Sequence, residues 1–533
     1  MSVLILFCAI VILSCIVTNK FSNKLGIPAL IFFMFLGVLF GSDGLLKISF
    51  DDYDLTSKLC SIGLMFIIFY GGFCTKKPEN KITLQAALLS SLGTIITAFL
   101  CGGFCFYVLK IPFAESFLIG AVISSTDAAS VFSILRSKRL NLKYNTAPLL
   151  EMESGSNDPF AYILTLLGIV LLQGNEILSL TPLLLKQIFY GVFIGALIAY
   201  GAIFIFKKTR LLSEGTDTLF LVAIVLASFS VPDMLQGNGF LSAYITGIIL
   251  GNSEIRNMIN LIYFFDGITA LFQVIIFFLI GFLSFPHKIP EILVPAILIT
   301  LFLTFIARPL AVSMIMLPFK ATFNQIFFIS AAGLRGAASI VFAILVVAEN
   351  TSVIYDLFHI VFVVVLISVT IQGSLLPYFA KVSNMIDRFA DVRKTFNDYQ
   401  QESAIALNKV CIKDSHPWKN SFVKDLNISD NALILLIIRK GKKIIPKGNV
   451  LLLEGDDVII GTTVVSVEEE VNLCETHIDA GHEWLDKKIN MIDCPENFLI
   501  ALIKREGNYF VPNGSTMILK NDTVIFTNPS ISE

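Results

Sequence analysis

An all-α polytopic membrane protein of about 13 transmembrane helices, with inverted repeats, two interrupted crossing helices and C-terminal α+β cytoplasmic regulatory domains, is the fold this sequence predicts. Three observations predict it. Hydrophobic residues make up 55% of the 533-residue chain and charged residues only 15%, with a mean hydropathy of +0.79, a balance foreign to a soluble enzyme. Apolar stretches of spanning length recur up to Lys381, and from Asp387 onward charge alternates with short β-type runs, which marks a second region. Three charged residues, Asp127, Asp158 and Arg335, interrupt stretches that otherwise read as spans.

Taken at about 17 to 25 apolar residues each, the spans begin near Val3, Pro28, Leu59, Leu84, Phe113, Pro148, Pro182, Thr218, Phe240, Leu261, Ile292, Asn324 and Ile354. The first, Val3 to Val17, lacks a basic leading segment and a small-residue cleavage motif, so it reads as a retained helix. Alternate connections are basic: Lys20 and Lys24, then Lys76, Lys77 and Lys81, then Arg136, Lys138, Arg139 and Lys143, then Lys207, Lys208 and Arg210, then Arg256, then Lys320. The intervening ones carry acids such as Asp51, Asp52, Glu115 and Glu349. Basic loops face the cytoplasm. The N-terminus is therefore expected outside and the tail in the cytoplasm.

The fifth span holds Thr126 and Asp127 at its middle, and the twelfth, running the opposite way, holds Gly333, Arg335 and Gly336. Opposed, interrupted helices point to an inverted-repeat transporter with its site at the midplane. The glycines alone would also suit close helix packing, but packing needs neither charge. A mid-membrane Asp or Arg costs about 2.5 to 3.5 kcal/mol even on insertion scales, so such residues mark an ion pathway or a buried partner.

In the sixth span, Glu153 with Asn157 and Ser154 with Asp158 are each four apart, and a helix stacks them as two adjacent pairs. Pro159 has no N–H, which frees the region of the Gly155 carbonyl to bend or to coordinate. Carboxylate, hydroxyl and carbonyl oxygens suit a hard monovalent cation, and no sulfur or imidazole cluster accompanies them, so no other metal is expected. The nine cysteines are scattered without a paired motif and read as free thiols. Net charge is -2 with no basic run, which argues against a nucleic acid polymer as partner.

The motifs SSTDAA, ESGSNDP and GLRGA, in that order on such spans, resemble the monovalent cation:proton antiporters with an Asn-Asp motif, the NhaP-like potassium or sodium/proton antiporters. The resemblance covers residues 1–385. It implies that Asp158 binds proton and cation alternately, that Asn157 steadies it, and that Thr126, Asp127 and Ser154 complete the cation shell. It also implies a buried structural ion pair between Glu153 and Arg335. Arg308, near the end of the eleventh span, is a further candidate whose other reading is a side chain reaching the interface. Relatives often read Thr-Asp-Pro where this chain has Thr126-Asp127-Ala128, a difference at the kink.

The implied function is electroneutral K+/H+ exchange by alternating access, because Asn157 stands where electrogenic relatives carry a second Asp. A Na+/H+ antiporter is the nearest alternative, and a tail-gated cation channel or a membrane sensor the alternatives of another class; no filter of the TVGYG type is present. No enzyme activity and no resident cofactor are expected. The setting implied is a bacterial inner membrane, with lipid around the protein and a homodimer formed through membrane and tail domains.

The tail repeats itself at an offset of 66, with the only two tryptophans, Trp418 and Trp484, in register, as are Arg439 with Arg505, Gly441 with Gly507, Pro446 with Pro512 and Asp456 with Asp522. Apolar runs followed by Gly and Pro-x-Gly turns read as short strands. The pattern resembles tandem TrkA-C domains, placed at 408–470 and 471–533 after a charged linker helix at 386–407, and implies a small regulatory ligand such as a nucleotide. No dinucleotide fingerprint follows a strand. Cys474, His477 and His482 have a spacing a metal could use, but no fourth ligand is evident and they read as loop and surface residues.

Overall fold

The computed structural model describes residues 2, 6, 9–17, 28–75, 80–137, 140, 142–174, 180–208, 215–253, 255, 257–349, 355–386, 405–412, 416–426, 432–439, 442–444, 446–463, 473–479, 482–492, 499–505, 508–510, 512 and 514–527. The chain divides into two compact units, Met1–Gln400 and Gln401–Glu533.

The first unit is helical: α1 (residues 9–17), α2 (Ala29–Phe40), α3 (Tyr53–Cys74), α4 (Asn80–Leu88), α5 (Thr94–Tyr107), α6 (Phe113–Val122), α7 (Ala128–Ser137), α8 (Thr146–Leu172), α9 (Leu180–Lys208), α10 (Thr216–Met234), α11 (Gly239–Gly251), α12 (Met258–Phe282), α13 (Ile289–Phe302), α14 (Arg308–Met316), α15 (Phe323–Ala331), α16 (Ala337–Ala348), α17 (Leu357–Ile367) and α18 (Gly373–Val382). Single π-helical turns carry α4 into α5, α13 into α14 and α17 into α18. Among the described residues, eight helices are long and apolar enough to cross a membrane. The expected span at Val3–Val17 lies partly outside the described residues, which are helical at 9–17, and the other four expected segments are helical but short or broken. The segment near Pro28 is the 12-residue α2 and that near Phe240 the 13-residue α11, while those near Phe113 and Asn324 are split into α6/α7 and α15/α16.

Large apolar side chains lie on the outside as well as in the core. Along α9, Leu185, Phe189, Phe193, Leu197, Tyr200 and Phe204 form one stripe of side chains more than half exposed, as a helix facing hydrocarbon requires. Inside, small residues bring backbones together: a Cβ on Gly247 or Gly251 of α11 would collide with the Phe69 or Phe73 backbone of α3, the close approach that holds helices together where lipid removes the hydrophobic drive. Among the described cysteines, Cys15, Cys60, Cys74, Cys101 and Cys105 are buried and Cys411 is exposed.

The second unit, among its described residues, holds strands and two short 3-10 turns, Val423–Asp425 and Ile489–Met491. Strands β1 (Ile405–Cys411), β2 (Ala432–Arg439), β3 (Lys442–Ile444) and β4 (Asp457–Thr463) form an antiparallel sheet in the order β1-β4-β2-β3. Strands β5 (Leu473–His477), β6 (Leu499–Arg505), β7 (Asn508–Phe510) and β8 (Thr523–Thr527) repeat it as β5-β8-β6-β7. Even the bulges coincide, between Ile434 and Leu436 and between Ile500 and Leu502. Most of the linker helix expected at 386–407 lies outside the described residues, and its last positions, 405–407, instead open β1, where β-branched and apolar residues pair with β4. Cys474 and His477 stand on β5 rather than in a loop, because the run there pairs with β8. His482 uses its Nδ1 to accept from the Trp484 N–H, as His416 does for Trp418.

Each sheet is stapled by a fork of hydrogen bonds. Arg439 Nε and Nη2 donate to the two carboxylate oxygens of Asp456, both at 2.8 Å, and Arg505 does the same to Asp522 at 2.8 and 2.7 Å. Burial pushes both carboxyls up, but the guanidinium and a backbone N–H outweigh it and hold them below the usual range. The folded carboxylate thus binds its proton less readily than the unfolded one. Its stabilisation is full above the unfolded value of about 3.9 and is lost as pH falls through the lowered folded value. Thermal melts of the purified chain are expected to show the tail transition dropping at acid pH, with Asp456→Asn removing about 2 to 4 kcal/mol at pH 7 and flattening that dependence.

Candidate functional site: two broken helices across α8

α6 stops at Val122 and α7 starts at Ala128, leaving Ser124, Ser125, Thr126 and Asp127 in a non-helical crossing. α15 stops at Ala331 and α16 starts at Ala337, leaving Gly333, Leu334, Arg335 and Gly336 in a second one. The crossings touch. Asp127 N–H donates to the Leu334 carbonyl at 2.8 Å, and Gly336 has no side chain where a Cβ would run into the Asp127 carboxylate.

Broken helices expose orphan backbone groups, and the two charged residues satisfy them. Arg335 Nη1 donates to the Ser124 and Ser125 carbonyls beyond the end of α6, each at 2.7 Å, and its backbone N–H donates to Ser368 Oγ at 3.1 Å. A cation belongs at a helix C-terminus. Asp127 accepts from Ser130 N–H at 3.3 Å and Ser130 Oγ at 2.5 Å, capping the first turn of α7. An anion belongs at a helix N-terminus. Gln372, on the π-turn between α17 and α18, donates to the Ala331 carbonyl at 2.7 Å and closes the end of α15.

α8 crosses beside this pair and delivers the ESGSNDP motif. Ser154 Oγ donates to the Thr126 carbonyl and Asn157 Nδ2 to Thr126 Oγ1, both at 2.5 Å. Ser125 Oγ donates to Asp158 Oδ1. Thr126, Ser154 and Asn157 are buried, whereas Asp158 and Asp127 stay partly exposed. Asn157 Oδ1 has no hydrogen-bond partner among the described residues. Ser125 thus meets Asp158 directly, while Ser154 and Asn157 fix Thr126 in the break alongside, so carboxylate, hydroxyl, carbonyl and amide oxygens line the break and the adjoining turn of α8, oxygen types that suit a hard monovalent ion.

The structure corrects the expected ion pair. Glu153 stands against Arg308, with Nη2 and Oε1 2.5 Å apart and side chains 4% and 1% exposed, and Arg335 is turned away to the carbonyls of the first crossing. The reason is spatial. A Cβ at residue 333 would stand 2.7 Å from Arg308 Nε, so Gly333 leaves the lane along which Arg308 lies. Arg308 is consequently buried and does not reach an interface.

Two contributors escaped the sequence reading. Ser125 was visible inside SSTDAA, one residue before the Thr-Asp pair, but nothing in the sequence aims its hydroxyl at Asp158. Asn238 is fully buried, caps α11 by accepting from Leu241 N–H at 2.9 Å, and donates from Nδ2 to the Pro159 carbonyl at 2.9 Å. Asn-Gly ahead of an apolar run signals the cap, not the tie to α8.

The family described as "Sodium/hydrogen exchanger, transmembrane" matches residues 9–382. A protein named K(+)/H(+) antiporter NhaP from Alkalimonas amylolytica is 31% identical over 465 residues, covering 86% of this chain and 80% of its own. One named K(+)/H(+) antiporter NhaP2 from Shewanella sp. strain ANA-3 is 29% identical over 520 residues, covering 93% and 88%. The structure of the sodium proton antiporter MjNhaP1 from Methanocaldococcus jannaschii at pH 8 superposes with a TM-score of 0.61 at 22% identity, covering 70% of this chain and 99% of its own, a likeness of fold.

Proposed function

This chain belongs to the sodium/hydrogen exchanger family, and from that premise we propose that it is an electroneutral K+/H+ antiporter in which one carboxylate, Asp158, carries the proton and the cation in turn. The observation that carries the reading is a partly exposed Asp158 that accepts from Ser125 of one broken helix, on the turn of α8 whose Ser154 and Asn157 hold Thr126 of the same break. An ionised Asp158 moving through a low-dielectric barrier alone would cost several kcal/mol, whereas the protonated or cation-bound carboxylate is nearly neutral. Only loaded states cross, so exchange needs no second coupling device. The match to relatives named K(+)/H(+) antiporters over most of their length favours potassium.

Around that core the reading includes Thr126, Asp127 and Ser154 as cation ligands, about 13 crossings when the short and broken helices are counted with the long ones, and an N-out orientation in a bacterial inner membrane. It also includes a homodimer and a pair of TrkA-C-like tail domains, supported by the repeated sheet order, that bind a small regulatory ligand. The test is a pH gradient in proteoliposomes with voltage clamped by an ionophore. The expected result is dissipation on adding K+, weaker with Na+, and unchanged when the clamp voltage is varied. A rate that follows voltage contradicts electroneutrality, and dissipation with Na+ alone reverses the selectivity.

A further inference from the structure

The turn that joins α17 to α18 sends two polar side chains into the second crossing. Ser368 and Gln372 open and close that π-helical turn and are 2% and 8% exposed. Ser368 Oγ accepts from the Arg335 N–H at 3.1 Å and donates to Gln372 Oε1 at 3.1 Å, while Gln372 Nε2 donates to the Ala331 carbonyl at 2.7 Å. The break is thus held at the last residue of α15 and again at the residue that carries its charge. Single π-turns inside helices recur at functional sites.

The arrangement mirrors the first crossing. α7 and α16 both open on Ala-Ala-Ser, at residues 128–130 and 337–339. α8 meets the first break with Ser154 and Asp158, four residues apart, and the π-turn meets the second with Ser368 and Gln372, also four apart. A neutral amide, engaged through both its oxygen and its nitrogen, therefore takes in the second half the place that the carboxylate has in the first.

This clamp reaches Asp158 through Arg335. Among the described residues, Arg335 Nε and Nη2 have no hydrogen-bond partner. The guanidinium is held through Nη1 alone, on the Ser124 and Ser125 carbonyls, and the backbone of the same residue through Ser368. Ser125 is 1% exposed and its hydroxyl donates to Asp158 Oδ1. A serine hydroxyl rotates to suit its surroundings, so its aim depends on where its backbone is fixed, and Arg335 fixes it here.

We propose that Ser368 and Gln372 are positioning residues for ion binding at Asp158: they fix Arg335, and Arg335 fixes the Ser125 that donates to the carboxylate, so that cation affinity is set in part from a turn outside the α8 site. The inference deepens the reading of Asp158 as the transporting carboxylate and rests on it.

The test compares Ser368→Ala, Gln372→Glu and Ser383→Ala in the full-length chain, by exchange in proteoliposomes over a range of K+ concentrations. Ser368→Ala removes the acceptor for the Arg335 N–H. Gln372→Glu keeps the size and the acceptor but sets an oxygen against the Ala331 carbonyl. Ser383, just past α18, is buried and donates to the Phe379 carbonyl at 2.6 Å, so Ser383→Ala removes a comparable hydrogen bond that leads to neither break. The first two changes are expected to raise the K+ concentration for half-maximal exchange about three- to tenfold, the effect of one buried hydrogen bond, with the maximal rate within about twofold of the parent. Ser383→Ala should leave both unchanged. An unchanged half-saturation in Ser368→Ala, a fall in maximal rate alone, or an equal shift in Ser383→Ala overturns the proposal. If Gln372→Glu fails to assemble, Ser368→Ala, which removes a single oxygen, decides. Hydrogen–deuterium exchange of the purified protein gives a readout that needs no transport: backbone amides at 124–127 should exchange faster in Ser368→Ala than in the parent, and unchanged protection there overturns the coupling. Absence of K+-driven exchange in the parent would overturn the functional reading, and protection at 124–127 would still decide whether the clamp acts on the first break.

Discussion

Asp158→Asn is expected to abolish exchange while leaving the protein folded. The amide retains the size of the carboxylate and can still meet the Ser125 hydroxyl, but it neither takes up a proton nor neutralises a cation. Removing a proton-carrying group typically costs about 10²- to 10⁴-fold in rate. The comparison that isolates chemistry from structure is Asn157→Ala. That change removes the hydrogen bond to Thr126 Oγ1 and should weaken cation affinity more than maximal rate. Ion fluxes in proteoliposomes at several K+ concentrations separate the two outcomes. An Asp158→Asn variant that still exchanges at the parent rate would exclude this carboxylate as the carrier.

The second large effect concerns the buried pair. Arg308→Gln leaves Glu153 charged, buried and unpaired, a change that costs about 3 to 5 kcal/mol in comparable buried bridges. Glu153→Gln with Arg308→Met should recover part of that loss, since neither charge is then left alone. Thermal unfolding in detergent of the singles and the double gives the coupling, and a large one is expected between residues in contact. The same cycle with Arg335 should give a smaller coupling to Glu153, because Arg335 is spent on the Ser124 and Ser125 carbonyls. A larger coupling to Arg335 than to Arg308 would contradict the arrangement.

Much of this was legible in the chain. Asp127, Asp158 and Arg335 stand out because charge inside an apolar run is costly, and the costs that make them rare also make them readable. The breaks at 123–127 and 332–336 follow from polar and glycine residues at the middle of two spans. The tail duplication follows from register, and the structure repeats strand order, bulges and the Arg–Asp fork at the same offset. The partner of Glu153 was not legible, because two arginines lie within reach of the fold and only the space over Gly333 decides which one arrives. Ser125 was missed for a related reason: a serine carries no charge to draw the eye, and its direction is set by the crossing rather than by any periodicity. Span length was overread where a helix is broken, since hydropathy does not register a turn that ends a helix and leaves its backbone satisfied by a neighbour.

The central claim is that one carboxylate serves proton and cation in turn, and proton release on cation binding tests it most directly. Purified protein in weakly buffered detergent, brought to a pH at which the site holds its proton, is titrated with K+ while free protons are followed with an indicator. The account predicts release approaching one proton per K+ bound, absent in Asp158→Asn. Binding of K+ without release, or release undiminished in Asp158→Asn, would contradict it.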